Sequence, residues 1–273
     1  GEGPDDEICP AEDALNVVDP GPSLGDVRPG IPTDRGARKA LDCLDLAVDL
    51  MRGAQDPTLR AMVTAPVSKE RIARIHPGFV GHTEYLQEAY SSSFVTMVLV
   101  GEKLRVVPVT RHIPIKDVSS TLSGSLILRT LSQVIENRAI ISGKKDAIIG
   151  VAALNPHCGE GGRIGTEEID IISPAVDKAR KAYDRIEGPI SADVIFHRAI
   201  NKKIDIVVSM YHDQCLSPFK MVDFDNGVNM TLGLGHVRTS PDHGTAFDIA
   251  GKGIASPASM EQAVRLAARA ISP

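Results

Sequence analysis

Hydrophobic positions along the chain fall into two patterns, short apolar runs and longer amphipathic stretches. The apolar runs are the length of buried strands and are bounded by turn residues; they include "LRAMVTAPV", "FVTMVLVG", "LRVVPVT", "DAIIGVAAL" and "IDIVVSM". Apolar residues recur at helical spacing in other stretches, first over residues 37–51 and last over about 259–271. Strands that alternate with helices in this way predict an α/β fold with a mainly parallel core.

Residues 1–35 follow a different pattern, with frequent Pro, Gly and Asp. This composition favours loops, so we expect irregular structure there with one short strand at "ALNVVD". Gly53 stands where a C-cap glycine would end the first helix. We expect two further helices, one over residues 123–137 and one that starts near Thr166.

Composition and charge narrow the class of protein. The 273 residues are 42% apolar and 24% charged, and the net charge of −5 leaves no basic footprint for nucleic acid. No apolar run approaches the ~20 residues that a membrane helix needs, and no signal peptide opens the sequence. The four cysteines have no C-x-x-C spacing, so we expect a reduced, cytoplasmic setting.

Three histidines share one position relative to the predicted strands. His112 follows "LRVVPVTR", His157 follows "AIIGVAALNP" and His212 follows "IDIVVSMY". In open α/β sheets, ligands bind at the carboxyl ends of the strands. Three imidazoles there could bind one divalent ion and leave positions open for substrate, as in catalytic metal sites. The alternative is that each histidine is a loop residue satisfied by backbone groups.

A set of cationic and polar residues suits an anionic ligand. Lys220, Asn229 and Arg238 follow the last of these histidines, and lysine and arginine both bind phosphate or carboxylate well. His82, in "GHTEYL", precedes a predicted helix that Thr83 could cap while His82 faces the site. The alternatives are solvated surface charges and an ordinary N-terminal turn.

Two stretches are rich in glycine. "HCGEGGRIG" lacks the strict dinucleotide-binding spacing and is more typical of a turn. "SPDHGTAFDIAGKGIASP" resembles the adenosine-binding loop of the isopropylmalate and isocitrate dehydrogenase group, in which a glycine-rich backbone approaches the nucleotide closely. This resemblance implies that Asp242, His243, Gly244 and Asp248 bind the cofactor.

From about Val63 onward, the chain closely resembles the 4-hydroxythreonine-4-phosphate dehydrogenase family of vitamin B6 biosynthesis and its paralogues. The resemblance rests on eight motifs in the family's order: "TAPVSK", "GHTEYL", "TRHIPI", "LNPHCGEGG", "GPISADVIF", "MYHDQCLSPFK", "GVNMTLGL" and "RTSPDHGTAFDIAGKG". It implies two α/β/α domains like those of isocitrate and isopropylmalate dehydrogenases, with the active site in the cleft between them. The expected domains are 1–78 plus 232–273 on the nucleotide side, and 79–231 for metal binding and dimerisation.

The resemblance also implies roles for individual residues. One divalent ion (Zn, Mg or Co) would be held by His112, His157 and His212 across a homodimer interface. Asp193 would be a polar residue near the metal. From the chemistry of metal sites we also expect Asp213 to orient an imidazole or a neighbouring loop rather than bind the ion. The residues implied to bind substrate are His82, Thr83, Lys220, Asn229 and Arg238.

The implied reaction is the NAD- or NADP-linked oxidation of 4-phosphooxy-L-threonine. Its product is a 3-keto acid that decarboxylates to 3-amino-2-oxopropyl phosphate. The general base stays open between Lys220 and a water on the metal. Two alternatives remain, a paralogue that oxidises D-erythronate 4-phosphate, D-threonate 4-phosphate or a cyclic diol carboxylate, and a non-catalytic or acyltransferase relative on the same fold.

The sequence departs from the family pattern at two points. The family usually opens with a glycine-rich "M-G-D-P-A-G-I-G-P-E" segment, which has no counterpart here. We therefore expect an incomplete nucleotide-side domain. Cys158 and Cys215 stand where Ala and Gly are usual. They are either tolerated small-residue replacements or an added thiolate near the metal.

Overall fold

The computed structural model describes residues 17–53 and 60–271. Within them, eight strands form one sheet in the order β1-β8-β7-β2-β3-β6-β4-β5. Residues 17–19 of the predicted strand "ALNVVD" are not in a strand, and residues 14–16 lie outside the described residues. The strands are β1 (Ala61–Val63), β2 (Thr96–Val100), β3 (Arg105–Thr110), β4 (Ile149–Ala152), β5 (Ile186–Ile190), β6 (Ile206–Tyr211), β7 (Val228–Leu232) and β8 (Val237–Pro241).

The sheet is mixed. The pairs β3–β6, β6–β4, β4–β5 and β1–β8 are parallel, whereas β2–β3, β2–β7 and β7–β8 are antiparallel. The predicted α/β class is confirmed, but the parallel core is interrupted by two hairpins, β2–β3 and β7–β8. Apolar runs indicate strands without indicating their direction, so the sequence pattern did not reveal the hairpins.

The helices begin and end close to the predicted positions. Gly53 caps the first helix, and the helix predicted over residues 123–137 continues to Ser142 before Gly143 ends it in a left-handed conformation. The helix predicted near Thr166 instead starts with a wider turn, Glu168–Ile172. The helices are α1 (Asp34–Arg52), α2 (Lys69–Ile75), α3 (His82–Ala89), α4 (Val118–Thr121), α5 (Gly124–Ser142), α6 (Ser173–Arg180), α7 (Ala192–Ile200), α8 (His212–Val222) and α9 (Ala258–Ile271).

Helices cover both faces of the sheet. Successive residues of a strand point to opposite faces, so Val98 and Val107 pack with α5, α6 and α9, while Leu99 and Val106 pack with α7 and α8. This two-sided burial explains why the strands read as continuous apolar runs. The strands are joined in a single sheet, and the division into domains 1–78 plus 232–273 and 79–231 stays a prediction.

The strand order determines where the predicted ligands emerge. Strands β3 and β6 are parallel neighbours in which Thr110 lies opposite Tyr211. His112 follows the first of these residues and His212 the second, so both histidines leave the same edge of the sheet side by side. Strand β4, which precedes His157, is the neighbour of β6 on its other side.

Candidate active site

A cleft of about 510 Å³ opens at this edge of the sheet. Its walls come from the residues after β1, from α3, from the ends of β3 and β6, and from strands β7 and β8. Most of the predicted site residues lie in it: His82, Thr83, His112, His212, Asn229, Arg238, Asp242, His243 and Gly244.

His112 and His212 form a pair in this cleft, with 5.6 Å between their ring centroids. The Nδ1 of His212 lies 2.6 Å from the Asp213 carboxylate, which confirms the expected orienting contact and leaves Nε2 to face a ligand. Burial lowers the pKa of His112, although Glu84, 3.9 Å away, raises it in part. A neutral imidazole is the form that binds a metal ion.

The third histidine lies apart from this pair. His157 follows β4 and does not line this cleft. It lies near Asp193, whose pKa is lowered mainly by the hydrogen bond from Ser191. Among residues 17–53 and 60–271, no group of three or more His, Cys, Asp or Glu side chains is arranged to hold a metal ion. One chain therefore brings together two of the three predicted ligands, and a site shared between subunits stays a prediction.

The turn that carries His157 has an unusual backbone. Residues 157–161 all have positive φ, with values of 51°, 55°, 74°, 45° and 68°. For the three residues that are not glycine, His157, Cys158 and Glu160, this left-handed conformation costs roughly 1–2 kcal/mol each. Such strain persists only where the surroundings impose it, and it often marks functional sites.

The two unexpected cysteines do not provide a ready thiolate. Cys158 donates to Pro189 O at 3.8 Å, and burial with two nearby carboxylates raises its pKa. Cys215 is fully buried, donates to His212 O at 3.5 Å, and has its pKa raised to about 12 by that burial. These environments favour tolerated small-residue replacements over an additional metal ligand.

Arg238 is the most unusual charge in the cleft. It is 2% exposed, and its guanidinium donates to Thr64 Oγ1 at 2.5 and 3.1 Å and to Thr231 Oγ1 at 3.3 Å. Burial lowers the pKa of Arg238 to about 10, and the charge of Glu84, which is not in contact with it, offsets this lowering in part. In the part of the chain that the structure describes, Arg238 makes no ion pair. Reading it as a solvated surface charge is therefore wrong, and a buried arginine without a counter-ion favours an anionic ligand.

Asn229 lies in the same cleft as Arg238 and has a side-chain oxygen without a hydrogen-bond partner among the described residues. This oxygen, Oδ1, is buried.

His82 is the first residue of α3, which Gly81 precedes as N-cap, so the expected capping role of Thr83 is wrong. Thr83 lies inside the first turn, where its side chain lines the cleft instead.

His82 is expected to stay neutral in the free protein. Burial, and then the charges of Arg238 and Lys69, lower its pKa from 6.5 to about 4. The unfolded chain therefore binds a proton that the folded chain rejects, and stability should fall as pH drops from about 6.5 to about 4. Chemical denaturation at several pH values in this range gives the free energy of unfolding at each pH. This free energy should change less with pH in His82→Asn than in the unmutated chain. The same pH dependence of the free energy of unfolding in both proteins would refute the lowered pKa.

Lys220 is engaged at the margin of the cleft. Its Nζ lies 2.6 Å from the Asp242 carboxylate, donates to Asp242 O at 2.8 Å and sits 5.1 Å above the Phe224 ring. These contacts hold the start of the glycine-rich loop, where His243 Nδ1 lies 2.8 Å from Gly244 O. Asp248 is exposed on the turn Phe247–Ile249 and does not line the cleft. The general-base role of Lys220 stays a prediction.

Three cleft residues were missed by the sequence reasoning. Lys69 and Glu84 line the cleft, and Thr64 anchors the Arg238 guanidinium. All three lie in motifs that were recognised, "TAPVSK" and "GHTEYL". The position of Lys69 and Glu84 depends on the packing of α2 on α1 and of α3 beside β1, which a motif does not reveal.

Comparisons with known proteins identify the family of this chain. The family model described as "Pyridoxal phosphate biosynthetic protein PdxA" matches residues 4–267. The chain is 44% identical over 239 residues to a 4-hydroxythreonine-4-phosphate dehydrogenase of Desulforapulum autotrophicum, a match that covers 88% of this chain and 69% of that protein. No helix among the described residues has the length and apolar character needed to cross a membrane.

Solved structures give the same likeness. The crystal structure of 4-hydroxythreonine-4-phosphate dehydrogenase from Klebsiella pneumoniae is 36% identical with a TM-score of 0.77, and the match covers 90% of this chain and 74% of that one. A terephthalate 1,2-cis-dihydrodiol dehydrogenase from Burkholderia xenovorans LB400 is 27% identical with a TM-score of 0.68, covering 90% of this chain and 77% of that one.

Proposed function

Because this chain belongs to the PdxA family of pyridoxal phosphate biosynthetic proteins, we propose that it oxidises 4-phosphooxy-L-threonine with NAD or NADP. The product is a 3-keto acid that loses CO₂ to give 3-amino-2-oxopropyl phosphate. One observation carries this proposal, the presence in one cleft of an imidazole pair and a buried arginine without a counter-ion. Such a cleft suits a substrate that bears both an oxidisable alcohol and an anionic group.

Arg238 binds the substrate phosphate in this proposal. Its guanidinium is fixed by Thr64 and Thr231, so little side-chain freedom is lost when an anion arrives. Thr83 and neutral His82 line the same cleft and can donate further hydrogen bonds. Asn229 lines the cleft as well, and its amide nitrogen is a donor type that suits a phosphate oxygen.

The imidazole pair fits a divalent ion. A ring separation of 5.6 Å matches two imidazoles that share an ion at the usual ~2.0–2.1 Å, and Asp213 already orients His212. We assign His112 and His212 as ligands and His157 from a second copy of the chain as the third, which makes the active enzyme a homodimer. Nitrogen ligands favour Zn or Co over Mg. When bound, the ion polarises the substrate alcohol and stabilises the negative charge that develops on oxidation.

The glycine-rich loop holds the nucleotide cofactor in this proposal. Asp242, His243, Gly244 and Asp248 bind NAD or NADP, which accepts the hydride from the substrate. The ion pair between Lys220 and Asp242 fixes the start of the loop beside the cleft. Because both polar contacts of Lys220 in the described part of the chain are with Asp242, we propose that it positions this loop.

A second candidate keeps the cleft and changes the substrate. The likeness to a terephthalate 1,2-cis-dihydrodiol dehydrogenase favours a cyclic diol carboxylate, because a buried arginine binds carboxylate as readily as phosphate. D-Erythronate 4-phosphate and D-threonate 4-phosphate carry a C2 hydroxyl in place of the C2 amine of 4-phosphooxy-L-threonine, and they differ from each other in the configuration at C2. We also propose a cytoplasmic location, supported by the metabolic names of the relatives.

The assay for this function follows NADH or NADPH absorbance with 4-phosphooxy-L-threonine as substrate. We expect turnover that disappears when the protein is stripped of metal with EDTA and returns with Zn²⁺ or Co²⁺. The His112→Ala variant, loaded with the same ions, serves as the inactive control. Full turnover in the stripped protein would refute the metal, and no turnover with either cofactor under any metal would refute the function.

A further inference from the structure

Glu168 is a buried carboxylate that the proposed mechanism does not use. It is 3% exposed at the start of the turn Glu168–Ile172. Its Oε1 accepts hydrogen bonds from the backbone N–H groups of Leu154 at 2.8 Å and Asn155 at 2.7 Å. Its Oε2 accepts a third from Asn155 Nδ2 at 2.9 Å. All three donors belong to the segment between β4 and His157.

The left-handed turn folds directly onto this carboxylate. A Cβ on Gly159 would lie 2.8 Å from Glu168 Oε2 and 2.7 Å from Gly165 O, so only glycine fits there. Ile164 N donates to Gly159 O at 3.0 Å and closes the turn on its far side. Glu168 therefore fixes both the entry to the turn and the path of its backbone two residues after His157.

The same network reaches the loop that follows His112. Asn155 Nδ2 also donates to Glu167 Oε2 at 2.7 Å, and Glu167 Oε1 accepts from the Ser119 hydroxyl at 2.5 Å. Ser119 lies in α4, which follows the His112 loop directly. Hydrogen bonds thus connect the two loops that carry His112 and His157.

We propose that Glu168 is a positioning residue that holds His157 in the orientation needed to bind the metal ion. This inference rests on the proposed function, because it takes His157 as a ligand. The acceptor pattern explains why the residue is a carboxylate. A glutamine would turn one oxygen into an N–H donor that faces donors already present, and the entry to the turn would have to shift.

The test is a Co²⁺ titration of the purified dimer, followed by the visible absorption of the bound ion. Glu168→Gln should bind Co²⁺ about 10–100-fold more weakly than the unmutated chain, as is typical when a partner that orients a metal ligand is lost. Glu160→Gln is the matched control. It removes the same charge from the turn that carries His157, but the Glu160 side chain is exposed and makes no hydrogen bond within the described part of the chain. Its Co²⁺ affinity should stay near that of the unmutated chain.

A double-mutant cycle separates positioning from a general structural role. If Glu168 acts through His157, Glu168→Gln should weaken Co²⁺ binding no further in a chain that already carries His157→Ala. Thermal unfolding in EDTA confirms that each variant is folded at the temperature of the titration. If Glu168→Gln does not fold, Glu167→Gln replaces it, with a smaller loss of affinity expected because Glu167 reaches the turn only through Asn155.

Two results would overturn the inference. One is unchanged Co²⁺ affinity in the folded variant, and the other is an equal loss of affinity with and without His157. A different result identifies failure of the proposed function. If the unmutated dimer gives no Co²⁺ spectrum and the His112→Ala and His157→Ala variants match it, the metal site itself is wrong, and the inference fails with it.

Discussion

Arg238→Met is expected to lower kcat/KM for 4-phosphooxy-L-threonine by about 10²–10⁴-fold. Hydrogen bonds to a charged group are worth about 1.5–3 kcal/mol each, and the guanidinium can offer two to one phosphate. Each ~1.4 kcal/mol of lost transition-state binding corresponds to a tenfold loss in rate. Methionine keeps most of the side-chain volume, so the loss should reflect the charge and its hydrogen bonds rather than a cavity.

The same variant should keep or gain stability, which distinguishes a binding role from a structural one. Arg238 is buried without a counter-ion, so its removal relieves a desolvation cost, although Thr64 and Thr231 lose a donor. Inorganic phosphate should raise the Tm of the unmutated chain and leave that of Arg238→Met unchanged. Arg129→Met, at an exposed arginine that stacks on Phe94, is the control. A phosphate-dependent Tm in Arg238→Met would remove Arg238 from the anion site.

Mixing two inactive variants should restore activity. His157→Ala and His212→Ala are each expected to lower kcat by about 10³-fold or more, because a metal ion contributes several kcal/mol to charge stabilisation. In a two-fold dimer with shared sites, a hybrid of the two variants has one site with both defects and one site with none. If subunits exchange at random, half of the dimers are hybrids, so about a quarter of the unmutated activity should return.

The control for this experiment is a mixture of His112→Ala with His212→Ala. These two residues lie on the same chain in one cleft, so every site of that hybrid lacks a ligand and no activity should return. Equal recovery in both mixtures would show that activity comes from some other species. No recovery in the first mixture, with subunit exchange verified by mass spectrometry, would contradict the shared site.

The parts of the site that the sequence predicted are those that follow from strand order. His112 and His212 could be placed at one edge because each comes directly after an apolar run, and parallel strands end together. The end of the first helix followed from apolar spacing and from Gly53, whereas the helix predicted over residues 123–137 continues to Ser142 and ends at Gly143. These features depend on local sequence.

The features that the sequence did not predict depend on contacts between distant segments. From the sequence alone, Arg238 looks like an ordinary surface charge. It is buried in the fold, where its guanidinium donates to Thr64, which is far away in the chain. The left-handed turn that carries His157 packs at Gly159 against Glu168 and Gly165, which follow later in the chain. From the sequence alone, Lys220 looks like an unpaired cation. In the fold it forms an ion pair with Asp242, at the start of the glycine-rich loop.

The most direct test of the account is one set of kcat/KM values for a panel of hydroxy acids, measured by NADH absorbance on the unmutated protein. The panel contains 4-phosphooxy-L-threonine, D-erythronate 4-phosphate, D-threonate 4-phosphate, a cyclic diol carboxylate, and the dephosphorylated form of each phosphate. We predict that 4-phosphooxy-L-threonine is the best substrate and that removal of its phosphate lowers kcat/KM by about 10²–10⁴-fold, the same factor as Arg238→Met. Equal values with and without phosphate, or a higher value for the cyclic diol carboxylate, would contradict it.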